Sequence, residues 1–114
     1  MEKKTVSAIM LTMLLTSMLT LALNIQPAKA ELTTIIVPDD YATIQEAINN
    51  ANEGDTVFVR KGTYYETVIV NKTISLVGEN AYNTTIDGGG LATYIVSVTS
   101  NDAQVSGFRI VDGG

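Results

Sequence analysis

The stretch from Gly54 to Glu79, GDTVFVRKGTYYETVIVNKTISLVGE, constrains the fold more than any other part of this chain. It holds three short β runs, Thr56–Val59, Thr67–Val70 and Thr73–Val77, with breaks at Lys61-Gly62 and Asn71-Lys72. Within each run apolar and polar residues alternate, as in Val57 and Val59 around Phe58, Val68 and Val70 around Ile69, and Ile74 and Leu76 around Ser75. Period-two alternation sends one set of side chains inward. A meander of antiparallel hairpins would usually show two-residue Asn-Gly or Asp-Gly turns, and none separates these runs. Brief corners without hairpin turns predict a chain that coils.

Internal similarity points the same way. Ile86-Asp87-Gly88-Gly89 returns as Val111-Asp112-Gly113-Gly114 at an offset of 25, and Leu76-Val77-Gly78 returns as Val105-Ser106-Gly107 at 29. Val57 and Val59 match Ile74 and Leu76 at a shorter offset of 17. A repeat of roughly 20–30 residues built from several short strands is the signature of a β-solenoid, in which each coil buries its inner face only by stacking on a neighbour.

Upstream, Glu31–Val37 reads as an opening strand closed by Pro38. Thr43-Ile44-Gln45-Glu46 has the pattern of a capping box, in which a Thr and a Glu three residues later satisfy each other's backbone N–H. Ile44, Ala47, Ile48 and Ala51 then form one helical stripe. The spacing predicts a helix from Ile44 to about Asn52, with Gly54 ending it in a left-handed conformation. A solenoid's first coil exposes an unpaired strand edge that proteins cover, so this helix is expected to cap the coil.

The first thirty residues have a different character. A lysine-bearing start, an uncharged apolar run from Val6 to Leu23, and the ending Ala28-Lys29-Ala30 have the layout of a signal peptide. Cleavage is expected between Ala30 and Glu31, giving a signal segment 1–30 and a mature domain 31–114. The competing reading is a retained membrane anchor, since the apolar run approaches the length that spans a bilayer. After cleavage four basic and eleven acidic residues remain, a net charge of −7. That balance disfavours nucleic acid and anionic membrane surfaces as partners. Membrane contact is expected only through the signal segment, and the product is expected outside the cell or on its surface.

The mature chain contains no His, no Cys and no Met. Nucleophilic sites built on Ser–His or Cys–His pairs are therefore excluded within it, as are the usual zinc sites and soft copper sites. No cofactor is expected. Carboxylates could work in pairs or hold Ca²⁺. Asp87 and Asp112, however, sit in Asp-Gly-Gly corners, where both residue types are favoured for backbone reasons. The Ca²⁺ alternative requires these two aspartates to stack. Tyr64, Tyr65, Tyr82 and Tyr94 are candidates for stacking on sugar rings, the alternative being partial burial with the hydroxyl at the surface. Asn71-Lys72-Thr73 and Asn83-Thr84-Thr85 are N-glycosylation sequons at Asn71 and Asn83.

Several of these segments together resemble the start of secreted right-handed parallel β-helix proteins. They are Tyr41–Ile48 (YATIQEAI), Gly54-Asp55-Thr56-Val57, Lys61-Gly62-Thr63-Tyr64, Leu76-Val77-Gly78 and Thr85-Ile86. The likeness is to the pectin lyase-like superfamily, including pectin methylesterases and the NosD-like surface repeat proteins. Asn101–Ile110 is similar to the NosD-like repeat unit. The resemblance spans about Ile35 to Gly114 and implies an all-β fold. The expected architecture is a right-handed parallel β-helix, its first two to three coils preceded by a capping helix. It implies a surface scaffold or carbohydrate-binding module, with polysaccharide or cell-surface glycans as partners. The alternative is the start of a pectin esterase or lyase whose catalytic coils lie elsewhere, because the Gln-Asp catalytic stretch of the esterases has no counterpart here. Gly114 falls inside a repeat, so the expected context is a longer protein whose remaining coils stack on this one.

Overall fold

The structure is a computed structural model that describes residues 31–113. The expected signal segment lies outside the described residues. Among the described residues, nine strands and one helix follow in the order β1 (Thr34–Val37), α1 (Ile44–Asn50), β2 (Thr56–Val59), β3 (Gly62–Tyr65), β4 (Val68–Val70), β5 (Ser75–Gly78), β6 (Thr84–Asp87), β7 (Val96–Val98), β8 (Gln104–Ser106) and β9 (Arg109–Val111). Among the described residues, no helix is long and apolar enough to cross a membrane.

All strand pairing is parallel and falls into three sheets. The first has the order β1-β2-β5-β8, the second β3-β6-β9 and the third β4-β7. Parallel neighbours need a long crossover between them. Here the crossover from one strand to its neighbour above is the passage through the other two sheets, so the chain is a β-solenoid. The first sheet is four rungs deep, because the opening strand, expected to precede the coils, is itself a rung on β2.

The inner face follows the predicted alternation. Ile35, Val57, Leu76 and Val105 stand in one row across the first sheet, and Val57, Val59, Val68, Val70, Leu76 and Ile86 are fully buried. Each such side chain stabilises the fold by roughly 1.5–3 kcal/mol relative to exposure. Thr84 also points inward, and its hydroxyl accepts a bond from the Asn80 N–H at 3.1 Å. Among the described residues every buried side-chain polar atom has a partner. The outer face of the first sheet carries two rows, Thr34–Thr56–Ser75–Gln104 and Ile36–Phe58–Val77–Ser106.

Several elements differ from the expectation: Gly54–Glu79 holds four strands and not three, the runs expected at Thr67–Val70 and Thr73–Val77 are Val68–Val70 and Ser75–Gly78, and the opening strand begins at Thr34 and not Glu31. Gly62 opens strand β3, although Lys61-Gly62 reads as a break. A glycine at φ 147° begins a strand directly, and the corner shrinks to Arg60-Lys61. The helix ends at Asn50, with Ala51 already extended as its C-cap. Gly54, at φ 90°, serves the turn into β2 and does not terminate the helix.

The helix is seated by residues more than twenty positions downstream. Ile44, Ala47 and Ile48 are buried in the core cluster. Thr43 caps the first turn by accepting the Glu46 N–H at 3.1 Å, which is the expected half of the capping box. The carboxylate that reaches the helix N-terminus belongs to Glu66, which accepts the N–H groups of Ile44 and Gln45 at 3.1 and 3.0 Å. At the other end the Lys72 ammonium donates to the carbonyls of Ile48, Asn49 and Ala51 at 3.0, 2.9 and 2.7 Å. Both charges oppose the helix dipole of their end. Between them the Gln45 side-chain amide pairs twice with Ile69. Its Oε1 accepts the Ile69 N–H at 2.7 Å and its Nε2 donates to the Ile69 carbonyl at 3.2 Å. One glutamine thus gives β4 what a neighbouring strand's peptide group would supply.

Asp55 closes the base of the first coil. It is almost fully buried and accepts the N–H groups of Thr33 and Asn52 at 2.9 and 2.8 Å. Those two bonds hold its carboxyl below the ordinary carboxylate value. Higher up, Gly78 and Gly107 meet backbone to backbone. A Cβ on Gly78 would lie 2.8 Å from the Gly107 carbonyl carbon, so both positions require glycine.

Candidate functional site

Register decides which side chains share the outer face of the second sheet. Thr63, Thr85 and Arg109 form one row, and Tyr65, Asp87 and Val111 the next. Tyr64 and Tyr65 are therefore split by the alternation. Tyr64 pairs with the buried Ile86 and packs against the core, while its hydroxyl donates to the Arg60 carbonyl at 2.8 Å. Burial, and then the nearby carboxylates of Glu66, Glu79 and Asp39, push its phenol above the ordinary tyrosine value. Tyr64 thus takes the structural role open to it in the sequence.

The other three candidate tyrosines are at the surface. Tyr65 is 78% exposed at the end of β3, and Tyr82 is 87% exposed in the turn before β6. Tyr94, 46% exposed, lies on the loop between β6 and β7. Val68 pairs with Val96, Tyr65 lies three residues before the first and Tyr94 two before the second. Both residues therefore lie on the chain segments that pass from the second sheet to the third. Tyr82 stands at the opposite corner of the second sheet. An exposed ring beside a carboxylate and threonine hydroxyls offers an apolar surface for a sugar's C–H face and acceptors for its hydroxyls.

The two Asp-Gly-Gly aspartates are not stacked, since Asp87 pairs with Val111 and not with Asp112. Asp87 Oδ1 accepts the Gly89 N–H at 2.9 Å, and Asp112 Oδ1 accepts the Gly90 N–H at 2.7 Å. Both act as turn formers on one glycine-rich loop. Among the described residues no group of three or more potential metal-binding side chains converges.

The sequons lie at corners. Asn71 is exposed between β4 and β5, and Asn83 is exposed just before β6, where its carbonyl accepts the Gly62 N–H at 2.8 Å. The Thr73 hydroxyl of the first sequon donates to the Asn101 carbonyl at 2.9 Å. Among the described residues, two of the four Lys and Arg side chains are occupied within the fold. Arg60 pairs with Asp39 at 3.0 Å, which raises the guanidinium's affinity for its proton, and Lys72 holds the helix end.

Thr63, Thr85, Asp87 and Arg109 were not singled out from sequence as neighbours of Tyr65. Their alternation within β runs was the available signal, but only the register of three separate coils brings them together. A scan of family models finds no match to this chain, and searches of curated proteins and of solved structures find none either.

Proposed function

We propose that residues 31–114 form a module of an exported, right-handed parallel β-helix protein of the pectin lyase-like kind, displayed as a surface scaffold whose wall binds carbohydrate. The observation that carries this reading is the exposed Tyr65, which register sets beside Asp87 and next to the Thr63–Thr85 pair, with Tyr94 exposed on the loop that leads into β7. Export is supported by the signal-peptide layout of the first thirty residues. A capping role for α1 is supported by its seating on β4 through Gln45, Glu66 and Lys72, which occupies backbone groups that would otherwise invite another chain. In this reading Tyr82 is an outlying contact and Tyr64 is structural.

Affinity electrophoresis or depletion on insoluble polysaccharides tests the reading. The chain is expected to be retained, and a Tyr65→Ala/Tyr94→Ala variant to lose about tenfold or more in affinity, since an aromatic stacking pair is worth about 0.5–1.5 kcal/mol per ring beyond its buried area. Unchanged retention of that variant would remove these two tyrosines from the proposal.

A further inference from the structure

The two ends of the solenoid are finished differently. Residues along a parallel strand turn their backbone groups alternately to the two neighbours, so a terminal strand leaves every second N–H and C=O facing along the stack. At the lower end side chains engage such groups on two of the three sheets. Asp40 folds back on Ile36 of β1: its carboxylate accepts the Ile36 N–H at 2.7 Å, and its own N–H donates to the Ile36 carbonyl at 2.7 Å. Gln45 does the same for Ile69 of β4. The upper end has no such device among the described residues. The Gln104 N–H bonds down to Ile74, the Thr99 N–H bonds down to Val70, and the Val111 carbonyl accepts the Gly88 N–H from below. Their neighbours Val105, Val98 and Ile110 therefore turn their backbone groups upward, where no described residue bonds them. The side chains of these three continue the inward rows above Leu76, Val70 and Ile86, and Val98 and Ile110 are each 47% exposed. An apolar, unblocked edge of this kind is a template for pairing with another strand.

We propose that this upper end is a self-association surface whose occupant is a second, inverted copy of this chain, β8 pairing antiparallel with β8 of that copy about a two-fold axis at Val105. Closure favours this arrangement. A head-to-tail contact repeats into a filament, and here it would have to displace Asp40 and Gln45 from the lower edge. A two-fold contact uses the open edge of both copies and then stops. Charge fixes the orientation. Strand β8, Gln104-Val105-Ser106, is uncharged, so its self-pairing opposes no like charges. From Val96 to Val111 the charged residues are Asp102 and Arg109, three positions before Val105 and four after it. The two-fold exchanges these flanks, so Asp102 of each copy meets the Phe108-Arg109 corner of the other, and opposite charges come together at both rims. The same exchange brings the Val98 side of one copy over the Ile110 side of the other, covering both apolar side chains. Asp112, the next charge along the chain, is drawn down to the Gly90 N–H at 2.7 Å.

Sedimentation equilibrium of the full chain over a dilution series, joined to amide hydrogen exchange, tests the assignment. The wild type is expected to form a closed dimer, with exchange at Val98, Val105 and Ile110 slower at high concentration than at low. Ile110→Lys is expected to raise the dimer dissociation constant about tenfold or more, the least that burying an unpaired charge costs. The dilute monomer of that variant should melt as the wild-type monomer does, since the side chain is already half exposed. Arg109→Glu sets like charges opposite Asp102 and is expected to weaken the dimer to a similar degree, while the exchanged pair Arg109→Glu/Asp102→Lys restores it. A monomer at every concentration, with edge amides that exchange freely, would leave the edge to another occupant, such as further coils of a longer protein, and would overturn the proposal. So would filaments that lengthen with concentration, or a dimer that Ile110→Lys and Arg109→Glu leave unchanged.

Discussion

Which glutamate holds the helix is a question that mutagenesis can decide. The sequence pattern assigns the N-terminal cap to Thr43 and Glu46, while the fold delivers Glu66 from a turn 22 residues beyond Ile44. Removing Glu66 leaves the N–H groups of Ile44 and Gln45, bonded at 3.1 and 3.0 Å, without their acceptor. Loss of a cap costs about 0.5–2 kcal/mol, and loss of a negative charge from the helix N-terminus adds about 0.3–1 kcal/mol. Glu66→Ala should therefore destabilise by about 2 kcal/mol. Glu46 is exposed, so Glu46→Ala forfeits only the dipole contribution, about 0.5 kcal/mol. At about 4–8 °C per kcal/mol for a domain of this size, the melting temperatures should fall by roughly 8–16 °C and 2–4 °C. The contrast is sharpened because a helix of seven residues has no stability of its own. When it frays, Ile44, Ala47 and Ile48 lose the core they fill. Thermal and urea unfolding of the two variants, followed by circular dichroism, gives the comparison. Glu66→Gln should fall between them, since the amide keeps one acceptor oxygen. A loss in Glu46→Ala equal to or larger than that in Glu66→Ala would refute the long-range cap.

Leu76, fully buried between Val57 and Val105, should cost about 3 kcal/mol on Leu76→Ala through lost transfer energy and a residual cavity. A urea midpoint close to wild type would place that side chain outside the core. Asp55 predicts an acid limb. Its folded pKa is depressed by the Thr33 and Asn52 N–H groups, so its contribution is present above the ordinary carboxylate value of 3.8 and is lost as pH falls through the lowered one. Stability measured from pH 6 downward should fall more in the wild type than in Asp55→Asn, and curves that stay parallel would contradict the assignment.

The sequence carried the solenoid and the helix stripe because both depend on local periodicity. Inward positions such as Val57, Val59, Val68 and Val70 announce themselves by alternation, and the stripe Ile44, Ala47, Ile48 by helical spacing. The site was less legible. Tyr64 and Tyr65 are chemically identical neighbours, yet one packs on the core and the other is 78% exposed. Their fates differ because alternation along β3 sends adjacent residues to opposite faces, and that strand starts at Gly62, a residue that reads as a break. The roles of Gln45, Glu66 and Lys72 were likewise invisible. Each acts across 21 to 24 residues, and no local pattern specifies which polar side chain will arrive at a helix end.

Register shows why some repeat matches survive and others shift. The match of Leu76-Val77 with Val105-Ser106 at 29 residues is the observed pairing, and its closing glycines explain the precision. Gly78 and Gly107 touch backbone to backbone, so no neighbouring residue could replace either. The match of Val57 and Val59 with Ile74 and Leu76 is displaced, because Val57 pairs with Leu76 at an offset of 19 and not 17. That slip of two keeps every side chain on its own face, so alternation alone could not expose it. The match of Ile86 with Val111 slips by one, since Ile86 pairs with Ile110. A one-residue slip exchanges the faces, and burial could have flagged it in a deep coil. It does not do so here because β9 has a single strand neighbour among the described residues. Ile110, in line with the fully buried Ile86, is 47% exposed, so its apolar character marks the inward row only when another rung covers it. Alternation therefore fixes the faces of a solenoid, while steric contacts such as the glycine pair are needed to fix its rungs.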